Sequence, residues 1–488
     1  MGYHPGLEDD AFYLSAIKRD LNPSLFPYDA DFFRLQFQAT IFDKLVALSV
    51  RLTHLPVAWA VLLWQFAAVF LVLQGCWRIA RRCFPDVSAR WAAVGLVAAL
   101  LTLPVSGTGI NLADQYLHPR TLATAAILAA IVNVMDRRLL RAGAWLAIAF
   151  AVHAIMAGLA ISLCLFLLWR KRAYSRYRQP AIANVAAALL IPFGWMFKPG
   201  SDAWRQAAAS RSFYLLTSWH WYEWLGVFAP PVLLYGLQVF LQRQPDVKMG
   251  SDEFPQLVSG LLAYSVFQTG VGLLIMLPLS LERLRPFEPM RYLHLVYLLF
   301  FLLLGGVLGR YVLRCRLYRW ALLFVPLTAC MVYAQLRSFP ASSHLELPGE
   351  TSENAWVQAF AWIRDNTPID SRFALDPRYL ELPGEDYHSF GAIAERSVLA
   401  DYVKDGGMVA RVPELAPRWL SEVQAQNGWQ SFGAADIERL KQQFGVNWVI
   451  LSRRDALFAR PQHSDRGDPT DDLDCPYANG QLLVCRIN

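Results

Sequence analysis

RRLLRAGAWLAIAFAVHAIMAGLAISLCLFLLWRKR, residues 137–172, is the stretch on which the fold turns. Its apolar middle, 142–169, has Arg137, Arg138 and Arg141 in front and Arg170, Lys171 and Arg172 behind. Cationic loops of membrane proteins stay cytoplasmic, so both ends of the run belong on one side. The simplest solution is two short half-helices that meet near His153. One long crossing is the competing reading.

Eight further apolar runs flank this one, at about 55–77, 90–105, 120–135, 181–197, 224–241, 256–278, 293–310 and 320–337. Each approaches the roughly 17–25 residues that a helix needs to cross a bilayer. Composition agrees: 55% of the 488 residues are hydrophobic and only 17% charged, and mean hydropathy is +0.29. Disorder is excluded, because it requires low hydrophobicity. No concentrated basic surface speaks for nucleic acid, and seven Cys without a CxxC pair exclude a zinc module.

The apolar runs end near residue 337, and the charge changes with them. Residues 341–488 carry 14 Lys and Arg against 22 Asp and Glu, whereas residues 1–340 carry 31 against 17. The fold class that follows is an α-helical polytopic membrane domain over 1–340, with about 9–10 membrane segments including the short-helix hairpin. A C-terminal extracytoplasmic α/β domain occupies 341–488. With the hairpin in place, eighteen Lys and Arg fall in inside loops and seven in outside loops. This bias puts the N-terminal segment and the tail outside. Residues 1–34 nevertheless contain neither a spanning run nor a signal peptide. The expectation is an internal start at Met1, with a transmembrane helix preceding it. A natural N-terminus delivered outside by the first helix is the alternative.

In the tail, Trp356, Phe360 and Ile363 share one helix face, as do Ile437, Leu440 and Phe444 before Gly445. Short strands follow at 372–375 and 448–451, and Asn479-Gly480 marks a hairpin. A Cys475–Cys485 disulfide suits an oxidising compartment. A two-residue turn would pair 475 with 484, however, so the bond needs a bulge. The acidic run at 465–474 lacks calcium-loop spacing and reads as a solvated loop.

No GxxxxGK[ST], HExxH or GxSxG occurs. The polar residues expected at the outer face form four groups. Glu8, Asp9 and Asp10 are consecutive beside Phe12, Tyr13 and Leu14; mutual repulsion and burial would raise a pKa toward a value useful for a base. The alternative is a solvated acidic loop. Asp114, His118 and Arg120 form a second group, whose Arg suits a phosphate or carboxylate or, alternatively, lipid headgroups. In LERLRPFEPMRYLHL, 281–295, Arg283, Arg285 and Arg291 are broken by Pro286 and Pro289, which predicts extended chain. Arg283, Arg285 and Arg291 would clamp a lipid-linked phosphate, with Glu288 and His294 as further substrate contacts. Pairing of Glu282 and Glu288 with these arginines is the structural alternative. His153, ionisable at membrane depth, is a functional candidate or a hydrogen-bonded helix contact. Residues 198–224, with Lys198, Arg205, Arg211 and several Trp, read as an interfacial membrane anchor.

An acidic motif in the first external loop, many short spans and an external α/β tail together resemble the GT-C superfamily of integral-membrane glycosyltransferases. RRLLRAGAWLAIAFAVHAIMAGLAI at 137–161 is similar to the family's basic turn and small-residue-rich hairpin. AFAWIRDNTPIDSRFALDP at 359–377 resembles a segment that opens the tail domain in bacterial members. The resemblance implies a polyprenyl-phosphate-linked sugar donor, an inverting transfer and a base from the first loop. By position the base is Asp9 or Asp10, with Glu8 less favoured, and Asp114 is a second acidic residue. That second site has one carboxylate where the family has a pair, which leaves a divalent metal open; no other cofactor is implied.

The expected reaction has a carboxylate deprotonate an acceptor hydroxyl while Arg285, Arg291 and Arg120 stabilise the leaving phosphate. The acceptor is unspecified. Partners are the lipid-linked donor and membrane lipids, without nucleic acid. A lack of N-x-[ST] acceptor sites favours a bacterial plasma membrane. Two alternatives are a transporter or flippase of lipid-linked substrates and a membrane-anchored interaction protein whose tail does the work.

Overall fold

The computed structural model describes residues 1–33, 38–173, 198–243, 253–458 and 473–488. The run expected at 181–197, Arg176, Arg178, Lys248 and most of the acidic stretch 465–474 lie outside the described residues. Among the described residues, five helices are long and apolar enough to cross a membrane: Val57–Cys83, Trp221–Phe240, Glu253–Met276, Pro289–Leu313 and Leu317–Ser338. Four apolar helices are shorter: Val87–Ala99, Pro119–Met135, Leu139–Val152 and Ala154–Arg170. The run expected at 90–105 is helical only to Ala99. Pro104 cannot continue a helix ladder, and the chain turns there into a loop that leads to the candidate site.

The run 142–169 is a hairpin. Its first helix ends at His153, where the backbone is extended (φ −155°, ψ 93°), and the second begins at Ala154. The His153 ring lies 6.1 Å from that of His118, at the start of the helix Pro119–Met135. The far end of that helix is marked by Asp136, held by Arg82 at 2.7 Å. Next to Arg82, Phe84 packs on Phe254 at 5.1 Å, and Arg170 bonds Ser259 nearby at 3.3 Å. Both ends of the hairpin therefore lie at the Arg82–Asp136 end, and its tip lies beside His118, about 25 Å away along a 17-residue helix.

The helix of Pro289–Leu313 is the most enclosed of the five, and Leu317–Ser338 is the least. Gly305 and Gly309, one turn apart, let the enclosed helix approach Ala89, Ala92 and Ala93. A Cβ on Gly305 would lie 2.6 Å from the Ala92 carbonyl oxygen, so small residues here permit backbone-to-backbone packing. This contact fixes the helix whose first residues, Glu288 to Arg291, enter the site.

The tail is a small α/β domain with a five-stranded sheet of order β2-β1-β3-β5-β4. β1 (Arg372–Ala374) lies parallel to β2 (Ser397–Val398) and to β3 (Trp448–Ser452). β5 (Leu482–Ile487) runs antiparallel to β3 and to the edge strand β4 (Leu473–Ala478). The helix Ala355–Asn366 buries Trp356, Phe360 and Ile363 as its pattern predicts. The helix Ala434–Phe444 buries Ile437 and Leu440 and stops at Gly445, whose φ is +67°.

Residues 1–33 pack on this domain. Tyr3 bridges Leu345 and Leu7 bridges His388. One oxygen of Glu346 lies 3.0 Å from both His4 Nδ1 and His388 Nε2. Phe26 and Phe32 join Met408, Val409 and Trp419 in one apolar cluster. The N-terminal residues are thus a seam between the helical part and the tail.

Cys475 and Cys485 are bonded. The expected two-residue turn is not formed: Ala478 pairs with Leu483, and the Asn479 carbonyl side chain accepts from the Gln481 and Leu482 backbone N–H groups. A register shift between Asp474 and Tyr477 then sets Cys475 opposite Cys485. The bond closes a short loop, so reducing it is expected to lower the stability of the α/β domain by about 3 kcal/mol. Alkylation of unreduced, denatured protein should label five of the seven Cys; labelling of all seven would contradict the bond.

Candidate functional site

Seven separate segments of the described chain converge on one cleft of about 950 Å³, open solvent at its mouth included. Its charged lining is Glu8, Asp9, Asp114, Arg120, Arg211, Glu288, Arg291, Lys404 and Arg411. These are five cations and four carboxylates. The acidic N-terminal motif and the start of the helix at Tyr292 thus share one cavity with a helix of the tail domain.

Asp9 precedes the helix Asp10–Leu21. Its Oδ1 lies 3.1 Å from Lys404 Nζ and 3.6 Å from an Arg211 nitrogen, and its Oδ2 is 3.5 Å from His118 Nε2. Burial alone would raise the Asp9 pKa, but Lys404, a hydrogen bond from His118 and Arg211 overcome it and hold the carboxyl well below its usual range. The side chain is still 28% exposed, toward the cleft. Glu8, at a positive φ of 51°, pairs with the same Lys404.

Asp10, the other residue expected by position as a base, behaves differently. Its buried side chain accepts the Gly6 N–H at 2.8 Å and closes the turn before the helix; it is absent from the cleft lining. Burial raises its pKa to about 8. The elevated pKa anticipated for a base therefore belongs to the carboxylate turned away from the cavity. The native state holds this proton up to about pH 8, whereas an ordinary Asp releases it near 3.8. Wild-type stability should thus decline as pH rises between those values. Asp10→Asn keeps an acceptor for Gly6 without a charge. Its Tm advantage should grow between about pH 4 and 8 and then level off; a gap independent of pH would contradict this account.

His118 is the N-cap of the helix Pro119–Met135, and its Nδ1 accepts the Arg120 N–H at 2.9 Å. That leaves Nε2 as the proton-bearing nitrogen, directed at Asp9. Burial and the Arg120 guanidinium lower the His118 pKa, so the imidazole is neutral near pH 7. Arg120 bonds Asp114 at 2.5 Å and is 2% exposed. Among the described residues its Nε and Nη1 have no acceptor, and neither has Arg211 Nε. Buried guanidinium N–H groups without acceptors are rare, and here they belong to a cavity wall. Across the cleft, Glu288 pairs with Arg291 and, at 3.0 Å, with Arg411.

Several expected residues lie elsewhere. Residues 279–287 and 289–291 form tight 3-10 turns rather than extended chain, which turns only Glu288 and Arg291 inward. Arg283 donates to the Pro199 carbonyl at 3.0 Å and lies over Trp204, and Arg285 faces the Leu277 and Pro278 carbonyls. Glu282 takes Arg205 at 3.1 Å instead of either. His294 is buried against the Leu112 carbonyl at 2.9 Å. His153 borders His118 but not the cleft.

Arg211, Lys404 and Arg411 were not expected in the site. Residues 198–224 do not form a simple membrane anchor, since Trp204 and Trp219 are buried and Arg211 reaches Asp9. A signal for the tail residues lies in KDGGMVAR, 404–411: two glycines in one short helix disfavour it unless something must come close. A Cβ on Gly406 would lie 2.4 Å from Ser210 Oγ, and one on Gly407 would lie 2.7 Å from Arg211 Nε.

A divalent metal does not fit this lining. Asp9 and Asp114 are already matched by cations, and among the described residues no three His, Cys, Asp or Glu side chains are grouped to hold an ion. An anion would offset the surplus positive charge. No protein-family model matches the chain, and no curated protein matches it.

Proposed function

We propose that the chain is a GT-C-type membrane glycosyltransferase that transfers a sugar from a polyprenyl-phosphate donor to an acceptor on the extracytoplasmic side, in a bacterial plasma membrane. The observation that carries this reading is the pairing, in one cleft, of the Asp9 carboxylate with the acceptor-less N–H groups of Arg120 and Arg211. The orientation is supported by the arginines. Arg78, Arg81, Arg82, Arg138 and Arg141 gather at the end remote from the cleft, as cytoplasmic ends do.

Asp9 accepts the proton of the acceptor hydroxyl as its oxygen bonds to the anomeric carbon from the face opposite the phosphate. The anomeric carbon–phosphate oxygen bond breaks, inverting the centre, and the electron pair leaves with the lipid phosphate. Arg120, Arg211, Arg291 and Arg411 surround the place where that charge grows, and such fixed charges lower the barrier because they need not reorganise. Arg285, outside the cleft, has no part in this step. His118 holds Asp9 in line. The low pKa of Asp9 keeps it ionised through the neutral range, ready to accept a proton that is released late.

A radiolabelled polyprenyl-phosphate sugar, offered to the purified protein with extracytoplasmic glycan acceptors, tests the reading. Asp9→Asn should reduce transfer by about 10²–10⁴-fold, whereas Asp10→Asn should retain it. Wild-type turnover in Asp9→Asn would reject the assignment. Lipid translocation without sugar transfer would favour a flippase instead. The pH profile of kcat/KM should stay flat from pH 7 down past the usual Asp value of about 4; an acid limb near pH 6 to 7 would argue against Asp9.

A further inference from the structure

Behind the cleft, on the other side of Phe12, lies a second cavity of about 580 Å³, its open mouth included. It is formed between the N-terminal segment and the α/β domain, and Phe12 is a wall of both cavities. Among the described residues, four carboxylates line it: Asp29, Asp376, Asp401 and Asp405. Much of the remaining wall is aromatic, with Phe26, Phe32, Phe33, Tyr379 and Phe390.

Arg372 and Arg418 act on Asp29, and Arg211 and Lys404 on Asp401, but burial outweighs them and raises the pKa of all four acids, that of Asp29 to about 7. Asp29 is 7% exposed. Its Oδ2 accepts the Val398 N–H at 2.9 Å, while its buried Oδ1 has no hydrogen-bond donor among the described residues. An Arg418 nitrogen lies 4.0 Å from Oδ1, and Arg418 bonds Glu422 at 2.9 Å. Asp401 accepts from the Lys404 and Asp405 backbone, and Asp405 accepts from the Asp401 backbone at 2.9 Å. The Lys404 ammonium lies against Asp9 in the other cleft, and with Arg211 it offsets only part of the effect of burial at Asp401. Arg396, the one cation in the described lining, spends its N–H groups on Thr367, Arg364 and Glu395 oxygens. A buried carboxylate oxygen without a donor is costly, and a compact cation would supply both the missing donor and the missing charge.

We propose that this cavity is a binding site for a ligand that bears a positively charged amine. The carboxylates accept the N–H groups, and the rings present their negative faces to the charge, an attraction effective within about 6 Å. A dense cation such as a divalent metal is disfavoured here, because the described carboxylates are not grouped to ligate one. A hydrated anion is excluded by the sign of the wall. The site does not depend on the transfer chemistry proposed for the neighbouring cleft, and it would stand if that reading failed.

The experiment uses the full-length protein in detergent. Radiolabelled methylammonium is equilibrated with it at fixed ionic strength, and its thermal unfolding is followed over the same titration. The expected result is saturable binding of one methylammonium per chain, with a matching rise in Tm. Potassium chloride and methanol at the same concentrations should give neither. Asp29→Asn should weaken binding by about tenfold or more. Phe32→Leu provides a second variant that leaves every charge in place and should weaken it less. Non-saturable uptake, a Tm rise equal to that in potassium chloride, or wild-type affinity in folded Asp29→Asn protein would overturn the proposal.

Discussion

A set of buried and half-buried charges shared between distant segments holds the site together. Lys404 of the tail meets Glu8 and Asp9 of the N-terminus, and Arg411 of the tail meets Glu288 at the mouth of the most enclosed helix. Arg211, between them, reaches Asp9 from a third direction. A charge withdrawn from water is tolerated only when it is paired and hydrogen-bonded. Each of these groups therefore constrains the segment that supplies its partner. The helical part, the N-terminal segment and the α/β domain can be arranged in few ways that satisfy all of them. The same requirement leaves the cleft with one more cation than carboxylate, and with guanidinium N–H groups that have no acceptor.

Packing supplies the rigidity on which this depends. Gly305 and Gly309 bring the helix behind Arg291 against Ala89, Ala92 and Ala93, and the hairpin 139–173 has its tip, His153, beside His118. His4, Glu346 and His388 tie the first residues of the chain to the tail. His118 connects the two levels, because the Arg120 N–H that its Nδ1 accepts as helix cap also decides which nitrogen faces Asp9. The position of one carboxylate in the cleft is in this way traceable to a helix cap.

The helical architecture was legible because its signals are local. Apolar runs give the spans, and arginines on both flanks of 142–169 give the hairpin. Periodicity gives the tail helices at Trp356 and Ile437. The site was legible only in part. Asp9, Asp114, Arg120, Glu288 and Arg291 stood out as polar residues beside spans, and all line the cleft. Arg283 and Arg285 stood out equally but turn away, because a 3-10 turn rotates successive side chains to different sides and no sequence rule fixes that phase. Asp9 and Asp10 are adjacent in sequence yet face opposite environments, since the helix that begins between them buries one and leaves the other at the cavity. Lys404 and Arg411 were hidden because their partners Glu8 and Glu288 lie 396 and 123 residues away in the chain; only the paired glycines at 406 and 407 hinted at a close contact.

The central claim is that cations from the helical part and from the tail together form one anion site. Calorimetric binding of farnesyl phosphate, with farnesol as the uncharged control, tests it most directly. The account predicts that Arg211→Gln and Arg411→Gln each weaken farnesyl phosphate binding by about tenfold and leave farnesol binding unchanged. Wild-type affinity in either variant, or an equal loss for farnesol, would contradict it.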